Sequence, residues 1–470
     1  MSAIATTAVV EETNVGNTYW NSFLICSIAC IVLQLASRGS SSSPSNGAKD
    51  VKQKSGKFLM FQMNYLLIFL LAMFSDWLQG PYVYELYVSY GFNQQQIAEL
   101  FVGGFASSMI VGTFVGSLAD KWGRKTMCIL YSVCYVSACF TKLVPDYWTL
   151  MLGRFLSGIS TSLLFSVFES WMVCEHNRQG YDGSLLGETF SYATLGNGLV
   201  AVVAGLIANF AADKFGFVAP FVVAMVPLSI VAFLVFFTWT ENYGGTGDSG
   251  SSDGSSAFTS LVKGFELIKN DSRIAALGMA QSSFEGAMYT FVFMWTPALK
   301  SQAETDAERA GKTLENSTSE HLGLIFACFM VSVMVGSSIF KILSARKGML
   351  YKIPLLLHAL AFVAMGLTTM YIDNKQMVYA MFLMFEMTVG LFYPAYGCIK
   401  SERIPEEIRS AVMNIFRMPL NGFVVLLLLK IKYLAPESVF MVCTIAHAFS
   451  FVCYWHFYTS TKAAISVLPS

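Results

Sequence analysis

Residues 116–125 read Gly-Ser-Leu-Ala-Asp-Lys-Trp-Gly-Arg-Lys and lie between two long apolar segments. The first segment ends at the acid Asp120, and the second begins with the basic residues Arg124 and Lys125. Lys and Arg accumulate in the cytosolic loops of membrane proteins. The stretch therefore predicts a short cytosolic connection between two membrane-spanning helices.

The composition of the whole chain supports a membrane location. Hydrophobic residues make up 55% of the 470 residues and charged residues only 13%, with a mean hydropathy of +0.55. A soluble domain carries about twice that charged fraction. The net charge is zero, so no basic surface indicates nucleic acid, and the ten cysteines show no metal-ligand spacing. We expect a membrane protein with no metal, cofactor or nucleic-acid partner.

Apolar segments long enough to cross a bilayer, about 20 residues each, recur along the chain. An extra helix is predicted at Asn21–Ala36. Bundle helices 1 to 12 follow at 58–88, 95–119, 126–144, 148–172, 188–210, 217–239, 272–299, 320–344, 351–372, 377–399, 410–430 and 437–459.

The predicted helices divide into two groups of six. Tyr243–Ser256 is rich in Gly and Ser, and the amphipathic stretch Phe258–Ile268 follows it. The predicted fold is an all-α integral membrane protein of two six-helix bundles and one extra N-terminal helix. The predicted parts are the extra helix with a basic linker, the first bundle, a cytosolic linker, the second bundle and a tail: 1–57, 58–240, 241–271, 272–460 and 461–470.

The basic loops predict which side of the membrane each loop faces. Lys and Arg cluster in the 49–57 linker, in 121–125, in 346–352 and in 400–409, which all fall on one side of the alternating helices. That side is predicted to be cytosolic, with the N-terminus outside and the C-terminus inside. The opposite side carries Asn316-Ser317-Thr318, so Asn316 is a glycosylation candidate. We expect residence in the plasma membrane.

The 116–125 stretch resembles the loop signature of the major facilitator superfamily at each defining position. This resemblance implies a transporter fold and a conformational latch formed by Gly116, Asp120, Gly123, Arg124 and Lys125. In that family the acid contacts helix 11, which implies a contact near Ser410. An acid at the positive end of a helix is also favourable in itself.

Four further motifs are similar to the eukaryotic molybdate-anion transporter family: Ser75-Asp76-Trp77-Leu78-Gln79-Gly80-Pro81-Tyr82, Phe168-Glu169-Ser170-Trp171, Phe291-Val292-Phe293-Met294-Trp295-Thr296-Pro297 and Phe416-Arg417-Met418-Pro419-Leu420. The likeness spans residues 58–460. It implies uptake of molybdate, a function that composition and periodicity do not show.

Bundle helix 11 carries the strongest candidate for an anion-binding site. Asn414, Arg417 and Asn421 recur at i, i+3 and i+7, which places a guanidinium and two amides on one helix face. Charged groups inside a membrane are costly and indicate function by default. The planar fork of an arginine suits the oxygens of a tetrahedral dianion. The alternative is that Arg417 pairs with an acid and serves only packing or gating.

Bundle helices 1 and 4 carry a second set of charges. Asp76 and Gln79 share a face of helix 1, and Arg154 lies at a similar depth on helix 4. Each charge alone is costly in a low dielectric, so an Asp76–Arg154 pair is expected. The pair either couples protons, contacts the anion or is purely structural. Arg154 and Gln79 are therefore further candidates for binding the substrate.

Bundle helices 7 and 10 each place an acid near mid-membrane with a tyrosine on the same face. Glu285 precedes Tyr289 by four residues, and Glu386 precedes Tyr393 by seven. Either acid balances the charge of Arg417 when the site is empty, or carries a proton during transport. The tyrosine hydroxyls are candidates for contacts with the substrate.

Three functions stay open from the sequence. The first is a proton-coupled molybdate carrier that works by alternating access, the second a carrier for sulfate or another anion or small solute. The third is a membrane sensor or scaffold that does not transport. We expect no enzyme activity, because no catalytic residue pattern is present, and we expect a monomer in the lipid bilayer.

Overall fold

A computed structural model describes residues 2–40, 56–243, 254–309, 321–346 and 348–466. Within these ranges, side chains are described except at 2–16, 37–40, 113, 116, 117, 120, 183, 184, 254–261, 301–309, 406–411 and 463–466. The chain forms two compact units, which are treated separately below. Unit 1 comprises residues 1–42, 250–319 and 328–470, and unit 2 comprises residues 43–249 and 320–327.

Unit 2 is built from helices α2 to α9. Their bounds are Gly56–Gln79 (α2), Val83–Ser89 (α3), Gln94–Trp122 (α4), Arg124–Thr141 (α5), Tyr147–Leu164 (α6), Val167–Arg178 (α7), Gly183–Phe215 (α8) and Ala219–Thr238 (α9). A 3₁₀ turn at Gly80–Tyr82 joins α2 to α3. Pro81 explains this break, since the residue before a proline disfavours helical geometry.

Unit 1 contains the first helix and most of the second half of the chain. Its helices are Ser2–Ser40 (α1), Gly254–Asn270 (α10), Ser272–Arg309 (α11), Leu322–Ser344 (α12), Ile353–Met370 (α13), Lys375–Arg403 (α14), Glu406–Leu428 (α15) and Pro436–Ser466 (α16). The first residues of α12 belong to unit 2.

The predicted all-helical membrane fold is confirmed. Each of the twelve predicted bundle helices has a counterpart, with helix 1 divided into α2 and α3 and helix 4 into α6 and α7. Nine helices among the described residues are long and apolar enough to span a membrane. The predicted end of bundle helix 7 at residue 299 was wrong, because α11 continues to Arg309.

Turn chemistry sets where several helices begin. Asn93 caps α4 because its side-chain Oδ1 accepts from the Gln96 backbone N–H, while the Asn93 backbone N–H donates to the Gln96 side-chain Oε1. Asp146 caps α6 by accepting from the Thr149 backbone N–H at 2.8 Å. This hydrogen bond from Thr149 holds the pKa of Asp146 below its usual value.

The amphipathic stretch after the Gly/Ser-rich segment forms α10, which packs on α15. Ile268 contacts an apolar cluster that includes Ile274, Val412 and Phe416. Gly264 allows the close approach, since a Cβ there would lie 3.3 Å from a Val412 methyl group. The apolar surface of α10 at Leu267 and Ile268 is therefore covered by protein within unit 1, whereas Val262 and Phe265 stay exposed.

Helix α1 packs against α12 and α14 at Tyr19. The Tyr19 side chain is 3% exposed, and its ring centroid lies 5.1 Å from that of Tyr379. The Cys328 thiol donates to the Tyr19 carbonyl at a sulfur–oxygen distance of 3.6 Å. The extra helix is thus an integral part of unit 1.

Candidate functional site

Gly123 links α4 to α5 at the end of the 116–125 stretch. Its φ of +96° lies in the region that favours glycine, and a Cβ there would strike the Glu241 carboxylate. Glu241 accepts from the Lys125 backbone N–H at 2.8 Å and from the Thr126 N–H at 3.1 Å. Glu241 therefore caps the first turn of α5, where unpaired N–H groups and the helix dipole favour an anion.

The sequence analysis missed Glu241, although an acid directly after an apolar segment is a recognisable candidate for a helix cap. It is an acid three residues after the end of α9. On the same side of unit 2, the Lys125 ammonium donates to the Phe236 carbonyl at 2.7 Å. These contacts fix the basic end of the 116–125 stretch to the end of α9.

Removing the Glu241 carboxylate should weaken unit 2. Glu241→Ala is expected to lower the free energy of unfolding by about 1–2 kcal/mol, because the α5 N-terminus loses its cap. Glu241→Gln keeps one acceptor oxygen and should cost less. The midpoint of thermal unfolding in detergent would order the proteins as wild type, Gln, then Ala. A Glu241→Ala protein that unfolds like wild type contradicts the capping role.

Unit 2 holds the charged residues predicted on bundle helices 1 and 4, but it does not pair them. The Tyr135 hydroxyl of α5 donates to Asp76 Oδ1. The Arg154 guanidinium instead donates from Nε to the Leu100 carbonyl at 3.2 Å and lies 4.5 Å from the Phe101 ring centroid. The expected Asp76–Arg154 pair was wrong, because a tyrosine takes the position of the predicted cation.

The cation near Asp76 is Lys142, which sequence reasoning missed. Its side chain is 2% exposed, and its ammonium donates to Gln79 Oε1 at 3.2 Å. Lys142 also interacts electrostatically with Asp76. The signal was the placement of a lysine in the last turn of bundle helix 3, within the apolar segment. Asp76, Gln79, Tyr135 and Lys142 are called the unit 2 cluster.

In unit 1, small residues on α11 hold α15 in place. The Ser282 hydroxyl donates to the Phe416 carbonyl at 2.6 Å, and the Phe416 ring lies against Gly278. The Phe416 side chain is 4% exposed, whereas Arg417 is exposed. Consecutive helix residues point about 100° apart, so docking of Phe416 turns the guanidinium away from this contact.

The face of α11 beside Phe416 carries the predicted acid. Gln281 Nε2 donates to Glu285 Oε1 at 3.1 Å, which holds the carboxylate one turn further along. Glu285 interacts electrostatically with Arg417 and with Lys400 of α14. The structure therefore brings the predicted Arg417 and Glu285 together, and adds Lys400. Glu285, Arg417 and Lys400 are called the unit 1 cluster.

Lys400 was interpreted from the sequence as a cytosolic loop residue. In the structure it lies within α14, half-buried, two turns beyond Tyr393. Residues 386, 393 and 400 recur every seven positions, so Glu386, Tyr393 and Lys400 share one face of α14. A check of this heptad spacing would have identified Lys400 from the sequence.

The predicted tyrosines lie around the unit 1 cluster. Tyr393 is 50% exposed, and its hydroxyl donates to Met288 Sδ at 3.5 Å. Tyr393 also interacts electrostatically with Tyr289, Glu285 and Arg417. Glu386 is only 7% exposed and has no hydrogen-bond partner in the part of the chain that the structure describes.

Arg417 and the flanking amides bring hydrogen-bond donors to the unit 1 cluster. Within the described ranges, no hydrogen bond of the Arg417, Asn414 or Asn421 side chain occurs, and Lys400 likewise has none. Asn414 and Asn421 are half-buried. The unit 1 cluster thus combines two cations with unused donors around one carboxylate, an arrangement suited to an anion.

The predicted latch contact between Asp120 and the Ser410 region stays a prediction. The side chains of Gly116, Asp120 and Ser410 lie outside the described residues, and so does Asn316. Of the latch residues, Gly123, Arg124 and Lys125 are described. The Arg124 backbone N–H donates to the Asn242 carbonyl at 2.9 Å.

Comparison with known proteins gives consistent matches. Residues 27–390 match a major facilitator family model described as sugar transporters with 12 transmembrane segments. A relative from Takifugu rubripes named "Molybdate-anion transporter" is 33% identical over 417 residues, covering 83% of this chain and 82% of the relative. The chain belongs to the molybdate-anion transporter family. Relatives of the same name from Xenopus tropicalis and Danio rerio are 32% and 31% identical and are covered over 90% and 85% of their lengths.

The fold agrees with this membership in the molybdate-anion transporter family. A crystal structure of the nucleoside transporter NupG matches with a TM-score of 0.60 at 14% identity, covering 86% of this chain and 99% of that one. A point mutant of NupG matches with a TM-score of 0.64 over 85% of this chain and 98% of that one. At this identity the likeness shows the fold alone.

Proposed function

We propose that this chain is a secondary carrier that takes molybdate into the cell by alternating access. The observation that carries the proposal is the similarity to relatives named molybdate-anion transporter, at 31–33% identity over most of both chains. Uptake by a carrier needs no cofactor and no enzyme activity from the chain.

The unit 1 cluster supports an anionic substrate. Molybdate is a tetrahedral dianion, so a site with two cations can match its charge. Arg417 supplies a fork of N–H donors, and Lys400 supplies a compact ammonium. Glu285 interacts with both cations and balances part of their charge in the empty protein. An incoming dianion would take over these interactions from Glu285.

The donor groups around Arg417 favour direct contact with oxygen atoms. Asn414 and Asn421 lie three and four residues from Arg417 on α15, so their amides flank the guanidinium on one face. Tyr289 and Tyr393 add hydroxyls from α11 and α14. Hydrogen bonds from charged donors to an anion are worth about 1.5–3 kcal/mol each. Arg417 is therefore the residue that should matter most for binding.

The charge of the substrate implies coupling to protons. Moving one negative charge into a cell with a negative interior costs about 2.3 kcal/mol per 100 mV, so a dianion costs about twice that. Each proton carried inward with molybdate cancels one charge. We therefore propose proton-coupled uptake, with Asp76, Glu285 and Glu386 as the acids available for coupling or charge balance.

The family model that matches residues 27–390 is described by sugar transport, yet the site favours an anion. A sugar is neutral and is held by hydrogen bonds, so it has no need of two intramembrane cations with one shared acid. Charges inside a membrane are kept where they serve a function. The unit 1 cluster therefore supports molybdate over a sugar.

We further propose that the carrier acts as a monomer in the plasma membrane, with its N-terminus outside and its C-terminus in the cytosol. The basic residues of the short loops support this orientation. Glycosylation of Asn316 would follow from it, since 316–318 then faces the exterior.

Uptake of molybdate by cells that express the chain tests the proposed function. Expressing cells should accumulate molybdate faster than cells with an empty vector, and unlabelled molybdate should compete better than sulfate. Surface expression is checked on the same cells. If the protein reaches the surface but uptake equals that of the empty vector, the proposed function is wrong. If sulfate competes better, the carrier is a sulfate carrier.

A further inference from the structure

The unit 2 cluster is a set of polar and charged groups buried between helices of unit 2. Asp76 and Gln79 come from α2, and Tyr135 lies on α5 with Lys142 directly after its last residue. Gln79, Tyr135 and Lys142 are 6%, 5% and 2% exposed. Charged groups at such positions are costly, so their presence calls for a function.

Among the described residues, the hydrogen bonds of Lys142 go to neutral groups. Its ammonium donates to Gln79 Oε1 at 3.2 Å and to the Ala138 carbonyl at 3.4 Å, and it lies 5.0 Å from the Phe221 ring centroid of α9. Within the described part of unit 2, no carboxylate lies in ion-pair range of this ammonium. Lys142 therefore stabilises negative charge on Asp76 from a distance, without blocking its oxygens.

Among the described residues, one carboxylate oxygen of Asp76 accepts a hydrogen bond and the other accepts none. Oδ1 accepts from the Tyr135 hydroxyl, whereas Oδ2 has no hydrogen-bond donor among the residues described. The Asp76 side chain is half-buried, so the carboxylate is not sealed in. A carboxylate with one fixed donor and one open oxygen can gain and lose a proton without breaking its only hydrogen bond.

Few other titratable groups face Asp76. On α5 and directly after it they are Tyr131, Tyr135 and Lys142, and the Tyr131 hydroxyl donates to the Ala72 carbonyl at 3.1 Å. Lys142 in turn interacts electrostatically with Cys139 of α5 and Arg154 of α6. The other helices packed on α2 bring neutral groups: α8 brings Asn197, which accepts from the Trp77 indole, and α9 brings Phe221. Among the described residues, Asp76 is therefore the acid at the centre of the cluster.

We propose that the unit 2 cluster is the proton-binding site of the carrier, with Asp76 as the proton acceptor and Tyr135 and Lys142 as the groups that position and tune it. The inference rests on the proposed function. One proton from the predicted outer side adds to Asp76 Oδ2 and later leaves to the cytosol, and no other bond changes. The cluster goes from neutral to one net positive charge, which offsets one charge of the dianion.

The proton site and the unit 1 cluster belong to different units. Asp76, Tyr135 and Lys142 belong to unit 2, whereas Arg417, Lys400 and Glu285 belong to unit 1. A change in the unit 2 cluster should therefore alter the use of the proton gradient and leave exchange of bound anion in place. This separation makes the proposal testable apart from anion binding.

The test uses the purified full chain in proteoliposomes, with the membrane potential clamped. Two quantities are measured: the rate at which labelled exchanges for unlabelled molybdate without a gradient, and the accumulation of labelled molybdate under an inward proton gradient of about one pH unit. For one proton per cycle, this gradient raises accumulation by wild type about tenfold, since 1.4 kcal/mol is a factor of ten. Asp76→Asn should keep exchange and lose this stimulation.

Two further variants separate a positioning role from a structural one. Tyr135→Phe and Lys142→Met should shift the pH at which uptake is half-maximal while exchange continues. Tyr131→Phe is the matched control, because it removes a hydroxyl from the same helix that binds a backbone carbonyl instead of Asp76. The control should show the wild-type pH profile.

The outcomes are distinct. If wild type shows no molybdate exchange, the proposed function is wrong. If wild type exchanges molybdate but ignores the pH gradient, or if Asp76→Asn is stimulated like wild type, the proton site is wrong. Loss of exchange in folded Asp76→Asn protein also overturns it, because the acid is then needed for transport itself.

Discussion

Arg417→Ala should reduce molybdate uptake about 10- to 100-fold at low substrate concentration. The estimate follows from the loss of a charged hydrogen-bond donor to the anion, worth about 1.5–3 kcal/mol. Arg417→Lys keeps the charge but loses the planar fork, so its uptake should lie between those of wild type and Arg417→Ala. Initial uptake rates over a range of molybdate concentrations measure both effects.

The control for this prediction is Lys430→Ala. Lys430 follows α15 at its far end and lies 6.0 Å from the Tyr433 ring centroid, away from Glu285 and Lys400. Its removal also takes one positive charge from the chain, yet uptake should stay near the wild-type rate. Wild-type affinity in Arg417→Ala protein that is correctly expressed would show that Arg417 does not bind the anion.

Gly390→Val should strongly destabilise unit 1. Gly390 of α14 crosses α12 so closely that a Cβ would strike the Val333 carbonyl oxygen. Gly336 of α12 meets the Met387 carbonyl in the same crossing. Both contacts are with backbone, which cannot rotate away, so the helices must separate. Overpacking costs about 1–3 kcal/mol where side chains can yield, and this crossing should cost at least the upper value.

Gly397→Val is the matched control on the same helix. No atom lies within 4 Å of a Cβ placed at Gly397, two turns from Gly390. Thermal unfolding of both variants in detergent should show a large loss at 390 and little change at 397. Equal stability of the two variants would contradict the close crossing of α12 and α14.

The sequence predicted the helices well because lipid imposes a length and an apolar composition on each. The confirmed bundle helices follow from that constraint. The end of bundle helix 7 was predicted too early because residues 300–309 are largely polar, and α11 continues through them as a helix. Hydropathy marks where a helix lies in lipid and carries no signal for a polar extension beyond it.

The polar sites were harder to predict because a linear pattern does not give the partners of a charge. Arg417 and Glu285 were expected near each other, and the structure brings them together. Arg154 was expected beside Asp76, but Tyr135 takes that place. The sequence predicted arginines as the intramembrane cations. Lys142 and Lys400 were missed because they lie nearer the helix ends, where basic residues usually mark loops.

The role of a glycine also depends on tertiary neighbours that the sequence does not give. Gly123 was predicted as part of the 116–125 stretch, but its role depends on the Glu241 carboxylate, more than a hundred residues away in the chain. Spacing within a motif identifies the turn, whereas the group that occupies the space beside it comes from tertiary structure.

The central claim, that this chain carries molybdate, is tested most directly by the purified protein in proteoliposomes. Labelled molybdate should enter vesicles that contain wild-type protein, at a saturable rate that unlabelled molybdate suppresses more strongly than sulfate does. Vesicles with Arg417→Ala protein should show only a small fraction of that rate. Uptake equal to that of protein-free vesicles, with correctly folded wild-type protein present, would contradict the account.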